Sequence, residues 1–184
     1  MKSIRYIFVT LTLLLISNTL IYAQEKRPIF IGIQPSFTKE TFYEEGEFDI
    51  NIVPLIVQIP LGKLIDIRAV SEVNYHFGTT KGISDVGVQF VLPVYFKKKE
   101  ITKIASHGFY AGPVLGLGTN LLNDHNTLTI AVEPGYMFKA NKNFTLALGL
   151  QLGASYFDYF NKSNVWYSHL GIKINIGFWV NQGK

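Results

Sequence analysis

Residues 165–180 read VWYSHLGIKINIGFWV, an apolar run interrupted by one lysine, Lys173. Sorted by parity, the even positions are Trp166, Ser168, Leu170, Ile172, Ile174, Ile176, Phe178 and Val180, and the odd ones are Val165, Tyr167, His169, Gly171, Lys173, Asn175, Gly177 and Trp179. Successive side chains of a strand point to opposite faces, so the stretch is one strand with a greasy face and a mostly polar face that carries Lys173. The fold turns on what each face meets.

Seven further segments can be read as strands. Residues 29–37 set Ile29, Ile31, Ile33 and Phe37 against Gly32, Gln34 and Ser36, and residues 64–77 set Ile65, Ile67, Ala69, Val73, Tyr75 and Phe77 against Asp66, Arg68, Glu72, Asn74 and His76. Residues 85–96 oppose Val86, Val88, Phe90, Leu92, Val94 and Phe96 to Asp85, Gly87, Gln89 and Tyr95. Residues 108–118 oppose Phe109, Ala111, Leu115 and Leu117 to glycines and Tyr110, and residues 128–139 oppose Leu128, Ile130, Val132, Tyr136 and Phe138 to Thr129, Glu133 and Lys139. The cleanest alternation is 144–156, with Phe144, Leu146, Leu148, Leu150, Leu152 and Tyr156 facing away from Thr145, Gly149, Gln151, Gly153 and Ser155. Residues 49–60 are apolar on both faces, which leaves their facing open and allows a bulge near Pro54.

The chain opens with Lys2 and Arg5 ahead of an apolar core from Ile7 to Ile16 and a small residue, Ala23. That is the layout of a secretory signal peptide over 1–23, cleaved after Ala23, which leaves one domain over 24–184. Lys2 and Arg5 carry two of the four net positive charges, so the mature chain has no basic face that would take nucleic acid. Cysteine is absent, which excludes disulfides, thiol nucleophiles and cysteine metal sites. Charged residues are only 16% of the chain and aromatics 14%, a composition that leans toward a membrane. Beyond the signal no apolar run has the length of a membrane helix, so a membrane form has to cross as strands closed into a barrel.

Eight antiparallel strands make the smallest common membrane barrel, up-and-down, with both termini on one side. PLGK (60–63), KKKEITKIASH (97–107) and ANKN (140–143) are then inner turns, the second longer than expected, and 38–48, 78–84, 119–127 and 157–164 are outer loops. Aromatics of the greasy face collect at strand ends: Phe96, Phe109, Tyr136, Phe138, Phe144 and Phe178 at the inner rim, Tyr75, Phe77, Tyr156 and Trp166 at the outer. Two such rows are what interfacial belts require. Pro35, Pro54, Pro93, Pro113 and Pro134 fall within these strands, where each removes a ladder donor and calls for a bulge or a solvated end.

The phrases NIVPLIVQIPLGK, FVLPVYFKK, GFYAGPVLGLG, EPGYMF and LGIKINIGFW resemble the strands of small outer-membrane β-barrel proteins of Bacteroidota-type bacteria, the PorT-like and OmpX-like eight-stranded group. The resemblance spans about residues 29–180, and it implies an outer-membrane barrel and no active-site residues. Continuation past Trp179 as VNQGK departs from the terminal aromatic on which many such barrels end.

On this parity the lumen receives Asp66, Arg68, Glu72, His76, Asp85, Gln89, Tyr110, Glu133, Gln151, His169 and Lys173. An eight-stranded interior is just wide enough to be filled by side chains, so these groups are expected to pair as a structural network, Arg68, Glu72, Glu133, Gln151, His169 and Lys173 above all. Glu72 and Glu133 are the acids to match with Lys173. Ser168 and His169 are adjacent and point to opposite faces, and His107 and His125 lie in connections, so no nucleophile and base pair up. The acidic loop of Glu40, Glu44, Glu45, Glu47 and Asp49 lacks the spacing of a calcium loop, and Lys97, Lys98 and Lys99 read as a solvated turn.

These readings predict a non-enzymatic outer-membrane barrel without cofactor or metal, whose partners are outer-membrane lipid and lipopolysaccharide and, at its extracellular loops, a protein. The alternatives are a secreted lipocalin-like barrel, whose greasy face would point inward to an apolar ligand, and an accessory component of a secretion system.

Overall fold

The computed structural model describes residues 28–38, 43–97, 106–139, 144–160 and 163–181. The signal segment, Glu40, Lys98, Lys99 and the turn 140–143 lie outside them. All regular structure among the described residues is strand: β1 (Ile29–Ile33), β2 (Phe37–Thr38), β3 (Phe48–Asn51), β4 (Leu55–Pro60), β5 (Asp66–Phe77), β6 (Gly82–Val91), β7 (Val94–Tyr95), β8 (Gly108–Asn120), β9 (His125–Lys139), β10 (Phe144–Tyr159) and β11 (Val165–Val180). They form eight antiparallel staves, because three staves are interrupted beside a proline: β1/β2 at Pro35, β3/β4 at Pro54 and β6/β7 at Pro93. Each proline lacks the N–H that an unbroken ladder needs.

The sheet closes where β1 meets β11, from Ile29–Val180 to Ile33–Ile176. One circuit of paired residues runs Gly116, Gln89, Val70, Ile56, Gly32, Gly177, Thr145, Lys139. Lys139 lies two residues past Met137, the partner of Gly108, so the circuit returns to position 106, ten residues before its start. A stagger of ten over eight strands at ordinary spacings gives a strand tilt of about 41° and a backbone radius of about 8 Å. That radius leaves room for side chains and no open channel.

Pro54 explains the one segment that parity could not assign. Before it Ile50 and Ile52 face outward, and after it Leu55, Val57 and Ile59 do, so outward facing passes from even to odd positions. Asn51 holds the break, its Oδ1 accepting from the N–H groups of Val53 and Val73 at 3.1 Å each. Pro113 and Pro134 stay within strands at a local cost. Leu92 N–H donates to the Pro113 carbonyl at 3.1 Å with no N–H to answer it, and the β9–β10 ladder skips from Gly135–Gly149 to Val132–Leu152.

The staves reach further at the end away from the termini than the polar runs predicted. The expected loop 119–127 is a four-residue turn, 121–124, the loop 78–84 shortens because β6 begins at Gly82, and β10 runs on to Tyr159. Asn, Thr and His can continue a ladder, and here Thr119–Asn126 and Asn120–His125 do. His125, expected in a connection, opens β9 and is buried, its ring stacked on Phe157 at 4.6 Å. Ser84 is an added residue between the pairs Asn74–Asp85 and Tyr75–Ile83, a bulge that sets Ser84 inward beside Asp85.

Among the described residues β11 is flanked on its β1 side only over 176–180. Leu170 and Ile172, beyond that stretch, are accordingly 71% and 73% exposed. The outward aromatics touch in rows. Phe109–Tyr136, Tyr136–Phe138 and Phe144–Phe178 lie at the terminal end, with centroids 4.6, 4.4 and 5.3 Å apart. At the far end Tyr75–Phe77 and Tyr156–Trp166 lie at 5.0 and 5.1 Å, and Phe96 stands exposed near the terminal end.

Candidate functional site: the stoppered lumen

The lumen has three levels. Nearest the termini it is apolar: Phe30, Ile56, Val70, Tyr95, Tyr110, Met137, Ala147 and Trp179 pack as one cluster, with the Phe30 and Trp179 rings 5.5 Å apart. The expectation of an interior filled by polar and charged groups is corrected here. Trp179 ends the same odd face that carries Lys173, and aromatic rings fill the cross-section where chain ends converge.

The middle level is a hydrogen-bonded stack around one ion pair. Arg68 Nη1 donates to Glu133 Oε1 at 2.6 Å, and both side chains are 0% exposed. Arg68 Nε donates to Gln58 Oε1 at 2.8 Å, and its guanidinium carbon lies 5.2 Å from the Tyr110 ring centre, while Nη2 has no hydrogen-bond partner among the described residues. Tyr110 O–H and Gln151 Nε2 each donate to Glu133 at 2.7 Å. Gln58 Nε2 donates to Asp66 Oδ2 at 2.6 Å and to Tyr95 at 3.0 Å, and Ser106 also donates to Asp66. Gln151 and Gln89 exchange amide hydrogen bonds at 2.7 and 3.3 Å, and His169 Nε2 meets Gln151 Oε1 at 3.1 Å. Because that oxygen can only accept, the ring nitrogen is the donor. Gly149 makes room for the carboxylate: a Cβ there would stand 2.8 Å from Glu133 Oε1.

The far-end level holds two spaces. A cavity of about 90 Å³ lies between Glu72 and Asp85 on one wall and His169 and Lys173 on the other, and Tyr43 separates it from a mouth of about 370 Å³. At the mouth Asp49 is the hub. It accepts from Tyr43 and Ser84 at 2.8 Å each, and His76 Nδ1 is 2.7 Å away. Glu47 stands 3.8 Å from His76 Nε2 and accepts from the Thr79 N–H at 3.0 Å, a bond that holds its carboxyl below the usual glutamate range. Ser84 and His76 both bond the carboxylate rather than one another, and the trio is a clamp between β3, β5 and β6.

Of the six residues expected in the network, Arg68, Glu133, Gln151 and His169 join one hydrogen-bonded chain. Glu72 and Lys173 do not enter it. Glu133, one of the two acids matched with Lys173, belongs to Arg68. Lys173 closes no ion pair within 4.0 Å among the described residues. Sequence reasoning missed Gln58, Tyr95, Ser106 and the Gln34–Asn175 bond of 2.7 Å. Gln58 was hidden by the parity change at Pro54, while Tyr95 and Asn175 already sat on the polar faces. No protein-family model matches the chain, and a search of curated proteins finds no relative of it.

Proposed function

We propose that the mature chain is an integral outer-membrane β-barrel, exported by the signal at 1–23, non-enzymatic, and serving a structural or interaction role through its far-end loops. The observation that carries this reading is the sense of burial. Arg68, Glu133, Gln58, Gln89 and Gln151 lie inside with almost no exposure, while Ile31, Leu55, Val57, Leu115, Ile130, Val132, Leu148 and Leu152 face out, each more than two fifths exposed. Water-soluble monomers rarely show contiguous apolar patches beyond a few hundred Å², whereas lipid solvates such a wall without penalty. Aromatic rows at both margins of the band support the same reading.

A soluble carrier of apolar ligands needs the opposite arrangement, a greasy lumen and a polar wall. At a tilt of about 41° each residue rises about 2.5 Å along the barrel axis, so about ten residues cross a 25 Å apolar band. On β11 that distance separates Phe178 from Ser168, which leaves Trp166 at the outer margin.

Membrane fractionation and gel mobility before and after boiling test the proposal. The expected result is recovery with the outer-membrane fraction, extraction only by detergent, and a mobility shift on boiling as the closed barrel opens. Recovery as a soluble protein with no shift would overturn it.

A further inference from the structure

We propose that the far-end cavity is a binding well for a small zwitterion, a molecule with an ammonium and a carboxylate a few atoms apart. The assignment requires the barrel alone and not its membrane setting. Lys173 is 7% exposed and, among the described residues, makes no hydrogen bond and no ion pair within 4.0 Å. An ammonium that lines the cavity with its three donors uncommitted to protein groups among the described residues offers a bound anion its hydrogen bonds. Glu72 lines the same cavity and also makes no hydrogen bond or ion pair among the described residues, and Asp85 beside it accepts from Asn120 at 3.0 Å.

The two charges stand on different walls. In the ring of staves β11 and β5 are separated by β1 and β4 one way and by four staves the other, so Lys173 and Glu72 face each other across the lumen. A lone anion at Lys173 would sit in the field of two carboxylates, and a lone cation at Glu72 in that of the ammonium. One molecule carrying both charges satisfies both walls. Thr129 and Ser155, bonded to each other at 2.8 Å, add hydroxyls to the lining, and Gly87, Gly116 and Gly118 line it without side chains. The floor is the Gln89–Gln151–His169 layer, so the well is blind and fills from the mouth. Its 90 Å³ has room for several waters, which suits a compound of a handful of heavy atoms.

The test titrates the folded, ¹⁵N-labelled barrel in micelles with glycine, β-alanine and 4-aminobutyrate, and with sodium acetate and methylammonium chloride at equal ionic strength. Saturable shifts of the Gly87, Gly116 and Gly118 amides are expected for at least one amino acid, about tenfold tighter than for either single-charge salt. Lys173→Gln and Glu72→Gln should each weaken that binding about tenfold, while Lys173→Arg retains most of it. Each variant is read only after boiling shows a shift like the parent's, and Glu72→Gln carries the test if Lys173→Gln does not fold. Absence of saturation with all three amino acids, equal binding of acetate or of methylammonium, or binding unmoved in both neutral variants would each overturn the proposal.

Discussion

Substituting Glu133 by glutamine isolates the worth of the buried ion pair. The carboxylate takes three donors, Arg68 Nη1 and the Tyr110 hydroxyl on one oxygen and Gln151 Nε2 on the other. A glutamine fits the volume but brings an NH₂ of its own, which has to face one of those donors. The greater loss is the charge, because Arg68 is 0% exposed and then has no carboxylate within 4.0 Å among the described residues. Removing one partner of a buried pair costs about 3–5 kcal/mol. With a urea dependence of about 2 kcal/mol per M, the unfolding midpoint should fall by about 2 M. Tryptophan emission in detergent micelles reads it, since Trp179 sits in the lumen plug and Trp166 on the outer wall. Arg68→Gln/Glu133→Gln removes both charges and should recover at least about 2 kcal/mol of the loss. A midpoint shift under about 0.5 M for Glu133→Gln, or a double variant as damaged as the sum of its singles, would refute the reasoning.

Two further substitutions and titrations follow from the same geometry. Ile174→Lys, on the outer wall opposite Leu148, should cost about 2–4 kcal/mol in a bilayer or micelle, and Lys173→Gln distinctly less; equal small effects by urea unfolding would mean that the outward face is not solvated by lipid. Glu47, whose carboxyl is held below its ordinary value by the Thr79 amide and the Glu44 N–H, favours the folded loop above the ordinary glutamate pKa. That contribution is lost as pH falls through the lowered value, so the Thr79 amide resonance should titrate below about pH 4.3, and a midpoint at or above it would count against the bond.

The facing of most staves was legible because each wall is chemically one-sided. Ile172 and Ile174 against Lys173, or Leu148 and Leu150 against Gln151, leave one arrangement that keeps the charges off the greasy face. The pairing of lumen charges was not legible, for a geometric reason. Arg68 and Glu133 lie on staves three apart, and their heights match only through the stagger of ten, a property of the whole ring that no local stretch encodes. Gln58 escaped notice because the stave break at Pro54 reverses facing within one apolar run. The far ends of β8, β9 and β10 were cut short because Asn120, His125 and Asp158 carry turn-like composition, yet cross-strand pairing and the His125–Phe157 stack continue the ladder past them.

The levels of the lumen also decide what the barrel can be asked to do. Ion passage from end to end would have to part Arg68 from Glu133, displace the glutamine layer above them, and open the packing of Phe30, Trp179, Tyr95 and Met137 below. Each obstacle lies on different staves, so no single side-chain rotation clears the path, and at a radius of about 8 Å the displaced groups have nowhere within the barrel to go. A stopper of this kind fixes the register of the staves, since Arg68 and Glu133 tie β5 to β9 across the interior. The far end is the level at which the lumen opens into a mouth. There the side chains change character: the hydrogen bonds that use up nearly every polar group of the middle level give way, above Gln151, to a lysine and a glutamate that face one another and, among the described residues, make no hydrogen bond or ion pair. Specificity built into such a barrel has its place at that level, between a rigid floor and a mouth clamped by Asp49.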